Sequence, residues 1–129
     1  MAMELKEVLL KRRSIRKYKK DVIDRKDIEA ILKAGIYAPS PYLGIDTDRR
    51  VSEICDTLSI GASVQNILLT ATELGYGTLW IANTCFAYNE LVELTGMKGQ
   101  LVGAISLGAA AEAPMQRSRK DFTEVVEFC

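Results

Sequence analysis

Histidine is absent from all 129 residues. Without an imidazole the chain has no Ser-His triad, no His-containing zinc site and no side chain whose ordinary titration falls near neutral pH. Cysteine is scarce: Cys55, Cys85 and Cys129 are odd in number and far apart, which excludes a disulfide framework or a CxxC pair built from one chain. Charge of either sign in excess is missing too, since 17 Lys and Arg balance 17 Asp and Glu. No global field then draws the molecule to nucleic acid or anionic lipid, and neither is expected as a partner. Long hydrophobic runs are also lacking. The most apolar stretch, residues 101–111, contains two glycines and is about half the length of a membrane-spanning helix. Residues 1–11 carry charges where a signal peptide would be apolar, so a cytoplasmic location is expected. Neither a GxGxxG nor a Walker A pattern occurs, which disfavours a Rossmann dinucleotide site and a P-loop. Chemistry must come from a bound cofactor or from Lys, Arg, Tyr and carboxylates.

What is present reads as one domain spanning residues 1–129, with 48% apolar and 26% charged residues, an ordinary globular composition. Residues 3–10 place Met3, Leu5, Val8, Leu9 and Leu10 around charged positions, which predicts a short amphipathic helix. Asp24 is a good N-cap for a second helix carrying Ile28, Ile31 and Leu32, with Gly35 as a stop or weak point before Pro39. Residues 38–50 read as a loop. Residues 51–74 read as one long helix, bent near Gly61 if anywhere. Its second half is apolar on nearly every side, with only Gln65, Asn66, Thr70 and Glu73 forming a polar strip. Such a helix needs cover all round, and in so short a chain a second subunit is the expected source. Gly75 and Gly77 close this helix, residues 78–81 form a short buried strand, and residues 88–94 form another short helix. Residues 101–107 make the clearest strand, and the alternation in residues 122–128 predicts one more.

Three constellations could carry chemistry. Seven of the ten residues 11–20 are Lys or Arg, and within them Arg12, Arg13, Ser14 and Arg16 offer forked guanidiniums beside a hydroxyl, a donor set suited to phosphate. Arg117, Ser118 and Arg119 repeat the pattern about a hundred positions later. A solvated charge run and an exposed basic turn are the plainer readings of the two. Third, Gly75-Tyr76-Gly77-Thr78 joins the long helix to a strand, where small residues let main-chain amides approach a planar ligand. A helix C-cap alone would also explain both glycines.

Taken in order, KRRSIRKY at 11–18, AGIYAPS at 34–40, SVQNILLTATELGYGTLWI at 63–81 and LVGAISLGAAAEAP at 101–114 resemble the nitroreductase family. The resemblance implies an α+β fold with a small central sheet flanked by helices, in an intertwined homodimer that exchanges C-terminal strands. It implies flavin mononucleotide (FMN) at the subunit interface. Arg12, Arg13 and Ser14 would hold its phosphate with Arg117 and Arg119. Arg16 would lie near the N1 and O2 edge of the ring, and Tyr76 and Gly77 near N5. The implied activity passes electrons from NAD(P)H through FMN to a small electron-poor acceptor such as a nitroaromatic or a quinone. The sequence departs from the family after APS. PYLGIDTDRR stands at 41–50 where an Asn-x-Gln-Pro-Trp segment is usual, and the stretch that follows is short. The alternative is therefore a non-catalytic flavin- or anion-binding dimer derived from the same scaffold.

Overall fold

The computed structural model of the chain describes residues 3–40 and 48–128; the loop expected at 38–50 lies largely outside them. In chain order the elements are α1 (Leu5–Lys11), α2 (Arg25–Ile36), α3 (Arg49–Glu73), β1 (Gly77–Ile81), a 3₁₀ turn (Asn83–Ala87), α4 (Tyr88–Thr95), β2 (Ala104–Gly108) and α5 (Phe122–Val125). This is the expected α+β arrangement. A small antiparallel β1–β2 ladder, with Gly77 opposite Gly108 and Ile81 opposite Ala104, packs against α3, which in turn packs along α2.

Helix starts follow their caps. The Asp24 carboxylate accepts from the Lys26 amide at 2.9 Å and Asp48 from the Arg50 amide at 3.0 Å, each satisfying a first-turn donor that has no partner within the helix. The core is made by Val8, Ile31, Val64, Leu68 and Ala71, with Ile15 from the basic segment. Asn66 donates to the Ala34 carbonyl at 3.1 Å and so ties α3 to α2.

Three expectations are corrected, and a fourth gains a reason: α2 ends at Ile36, one residue past Gly35. A Cβ at Gly35 would stand 2.8 Å from Ser63 Oγ and 3.0 Å from Ile67 Cδ1, so this glycine is where α2 and α3 cross closely. The second half of α3 is covered by its own chain at Val64, Leu68 and Ala71, whereas apolar residues of its first half, Val51, Ile54 and Leu58, are exposed. The strand at 78–81 is only half covered, with Trp80 44% exposed. Residues 122–128 do not form a strand with the described residues of their own chain. Asp121 accepts from the amide and hydroxyl of Thr123 at 3.0 and 2.7 Å, and that cap starts a helical turn where alternation alone predicts extension.

Candidate functional site

Two glycines decide where the basic segment runs. Ile15 lies over Gly77, where an added Cβ would come within 2.8 Å of it, and the Tyr18 ring lies over Gly108, within 2.7 Å of such a Cβ. These glycines face each other across the β1–β2 ladder, so the missing side chains leave a shelf on which residues 14–19 rest. Main-chain bonds hold the segment there: Ile15 donates to the Thr78 carbonyl, Lys19 to that of Ala109, and Ala111 to that of Lys17, each at 2.9 Å. The Tyr18 hydroxyl donates to the Ile15 carbonyl and lies 2.7 Å from Ser106 Oγ. Ile15 points inward and is buried; Arg12 and Ser14 stay half-exposed and Arg16 exposed.

The segment forms one wall of a cleft of about 310 Å³, presenting Arg12, Arg13, Ser14 and Arg16, and the other wall is residues 114–117 with Arg119. The two arginine-serine segments, a hundred positions apart, thus share one concave surface. The Arg13 guanidinium bridges the walls. It donates to the carbonyls of Leu10 and Arg12 at the C-terminal end of α1, at 2.5 and 2.8 Å, and to Gln116 Oε1 at 3.2 Å. Arg12 caps α1 through its amide alone. Among the described residues the guanidiniums of Arg16 and Arg119 make only long contacts, 3.3 to 3.5 Å, to neighbouring carbonyls.

The ion pairs among the described residues are Lys11–Glu7, Arg25–Glu29 and Arg49–Glu53, all on exposed helix surfaces. None of the cleft's guanidiniums meets a carboxylate among those residues. Concentrated positive charge with no ion-paired carboxylate among the described residues, in a concave site beside a hydroxyl, is an arrangement that takes up an anion.

Tyr76 and Gly77 line a neighbouring cleft of about 570 Å³, which joins the first at Arg13 and Pro114 and has Ile15, Ala110 and Ala113 among its apolar lining. Gly75 has φ 85°. With it in the left-handed conformation, the Gly75 amide donates to the Thr72 carbonyl at 3.1 Å and the Tyr76 amide to that of Ala71 at 2.8 Å, a Schellman closure of α3. The Tyr76 hydroxyl donates to Asp27 Oδ2 at 2.5 Å. That hydrogen bond, then partial desolvation and the nearby carboxylate charges, raises the phenol above its ordinary value. Both Tyr76 donors are therefore engaged within the fold, and Gly77 is buried beneath Ile15.

Glu112 escapes sequence reasoning. Its Oε1 accepts from the Arg16 amide at 2.5 Å and the Lys17 amide at 3.1 Å; the Arg16 bond above all, then the Lys17 bond and the positive side chains beside them, hold the carboxyl below its usual value against an opposing desolvation. Its only sequence signal is a lone acid in the apolar run before the basic tail. No group of three or more His, Cys, Asp or Glu among the described residues is placed to hold a metal ion, and no helix among them is long and apolar enough to cross a membrane.

A family model described as "Nitroreductase family" matches residues 9–43 and 42–109, well over half of the chain. The chain belongs to the nitroreductase family. Solved structures agree in fold. A nitroreductase-type protein of Desulfovibrio desulfuricans, in complex with FMN, shares 23% identity and a TM-score of 0.82, over 98% of this chain and 96% of that one. Nitroreductase A from Vibrio parahaemolyticus gives 20% identity and a TM-score of 0.86, over 98% and 76%. The NADPH:FMN oxidoreductase of Vibrio harveyi, complexed with NAD+, gives 18% and 0.83, over 96% and 76%. At these identities the likeness is one of nitroreductase architecture.

Proposed function

We propose that this nitroreductase-family chain binds FMN, with the phosphate in the arginine-serine cleft, and works as an oxidoreductase that takes electrons from NAD(P)H and gives them to a small electron-poor acceptor of nitroaromatic or quinone type. The observation that carries the reading is the convergence of Arg12, Ser14, Arg117 and Arg119 on one cleft whose guanidiniums have no carboxylate partner among the described residues. This donor set fits a phosphate dianion: permanently charged forks for the oxygens and a hydroxyl between them. The bound flavin supplies hydride and electron transfer, so no imidazole is needed. The chain's part is to bind and orient. Arg12, Ser14, Arg117 and Arg119 anchor the phosphate, Arg13 keeps the two walls together, and Arg16 offers positive charge beside the ring's polar edge. Because both Tyr76 donors are engaged in the fold, its part, with Gly77, is to shape the adjoining apolar cleft.

We take the working form to be a homodimer. One chain exposes 10557 Å², whereas a compact monomer of 14.3 kDa exposes about 6,800 Å². Val51, Ile54 and Leu58 repeat at helical spacing on the uncovered face of α3, and Leu32, Ile36 and Tyr37 are exposed on or just beyond α2. An apolar surface of that extent is expected to be covered by a second copy.

The test is direct. Purified protein should carry or take up FMN, and NAD(P)H should bleach it under anaerobic conditions. Arg12→Ala or Arg119→Ala should weaken FMN by roughly 1.5 to 3 kcal/mol, the worth of one charge-assisted hydrogen bond. Protein that ignores added FMN overturns the reading. The departure from the family pattern at residues 41–50 favours a second reading, a flavin- or anion-binding dimer without turnover; bound flavin that NAD(P)H cannot reduce would select it.

A further inference from the structure

Glu112 sits among cations and forms no ion pair with any described residue. Its carboxylate is instead directed at main chain, accepting from the amides of Arg16 and Lys17 through one oxygen. Those amides belong to the wall that carries Arg12 and Ser14, while Glu112 itself lies two residues before Pro114, where the opposite wall begins. The flanking bonds, from Ile15 to Thr78 and from Ala111 to Lys17, hold the segment to the sheet on either side of these two amides. The carboxylate thus fastens the strap between these bonds, tying the Arg16 wall to the segment that leads into Pro114; it lines the neighbouring cleft rather than the arginine-serine cleft itself.

A carboxylate this close to guanidiniums that paired with one of them would cancel part of the charge meant for an anion. Two amide bonds hold it to the main chain without an ion pair, although its charge still acts on the Arg16 and Lys17 side chains. We infer that Glu112 is a positioning residue: by clamping the Arg16 and Lys17 amides it sets the spacing of the two arginine-serine walls, and so gives the cleft its preference for a phosphorylated flavin. The inference rests on the reading that this cleft holds the FMN phosphate. Glu112 is half-exposed and the Arg16 and Lys17 positions are exposed, so water can replace the lost acceptor at little cost to folding, and the effect falls on the site.

The experiment compares dissociation constants for FMN and for riboflavin, which lacks the phosphate, in the full-length protein. A merely structural loss weakens both ligands alike and leaves their ratio unchanged. Glu112→Ala should lower the preference for FMN over riboflavin by about fivefold or more, in the range expected when charge-assisted contacts are misplaced. Glu112→Gln, which keeps an acceptor oxygen, should stay within about twofold of the wild type. An unchanged ratio in Glu112→Ala, or an equal fall in both variants, overturns the positioning role. Should Glu112→Ala fail to fold, Glu112→Asp, one methylene short of the two amides, reads the same ratio: a fall supports the clamp and an unchanged ratio overturns it. Arg12→Ala measured alongside separates the two claims. If it weakens FMN while Glu112→Ala leaves the ratio intact, only the clamp fails; if Arg12→Ala leaves FMN binding untouched, the phosphate reading fails and the clamp with it.

Discussion

Arginine advertises itself in a sequence and glutamate on a main-chain amide does not. Arg12, Ser14, Arg117 and Arg119 could be singled out because a forked cation beside a hydroxyl has few chemical uses. Glu112 could not, because its partners are the amides of Arg16 and Lys17, which every residue but proline possesses. Tyr76 shows the converse limit. Its place between two glycines suggested a ligand or a helix cap; its amide makes the cap to Ala71, a local fact, while its hydroxyl goes to Asp27, a long-range contact that local spacing does not encode. The depressed Glu112 carboxyl carries a pH signature. A group ionised more readily in the folded chain than in the unfolded one stabilises the fold above its ordinary value, 4.5, and that contribution disappears as the pH falls through the lower folded value. Urea midpoints of wild type and Glu112→Gln should therefore differ most at neutral pH and converge as the pH falls below the ordinary carboxylate range. A gap that is constant with pH would show that the carboxylate is not depressed.

At the scale of elements, the helices and both sheet strands were readable to within a few residues, and the tail was not. The caps Asp24 and Asp48 and the left-handed Gly96 that ends α4 are local chemistry, and α2, α3 and α4 fall within a few residues of where the sequence puts them. β2 begins at Ala104, three residues later than its apolar run, because its register is set by pairing with β1. The tail beyond Asp121 turns helical because alternation yields a strand only where an edge is available to receive it. The long helix separates two kinds of apolar position that look alike in sequence. Leu68 is buried within its own chain at 4% exposure and Leu58 is 69% exposed. Leu68→Asp should therefore prevent folding altogether, since an unpaired charge in a dry core is strongly unfavourable. Leu58→Asp should leave a folded chain that sediments as a monomer. If Leu58→Asp remains dimeric, the subunit contact lies elsewhere.

For the whole molecule, the decisive quantity is surface. The composition pointed to one domain spanning residues 1–129, and among the described residues apolar faces of α2 and α3 are left uncovered. The family pattern was legible because its four motifs are contiguous runs in a fixed order. Departures from it at residues 41–50 were legible for the same reason, while the consequences of the shortened stretch for packing depend on contacts that a linear reading does not contain.

The strap over Gly77 and Gly108 joins residues near the start of the chain to others some ninety positions on, and it is also one wall of the proposed phosphate cleft. On the proposed reading, capture of the ligand would also stabilise this long-range closure. FMN at a hundred times its dissociation constant should raise unfolding stability by about 2.7 kcal/mol, visible as a melting temperature that climbs with free flavin concentration. Riboflavin at equal concentration should raise it far less. A cell starved of flavin would, on this view, hold the same polypeptide in a looser and more protease-sensitive form, so that the supply of the coenzyme sets how much of the protein survives.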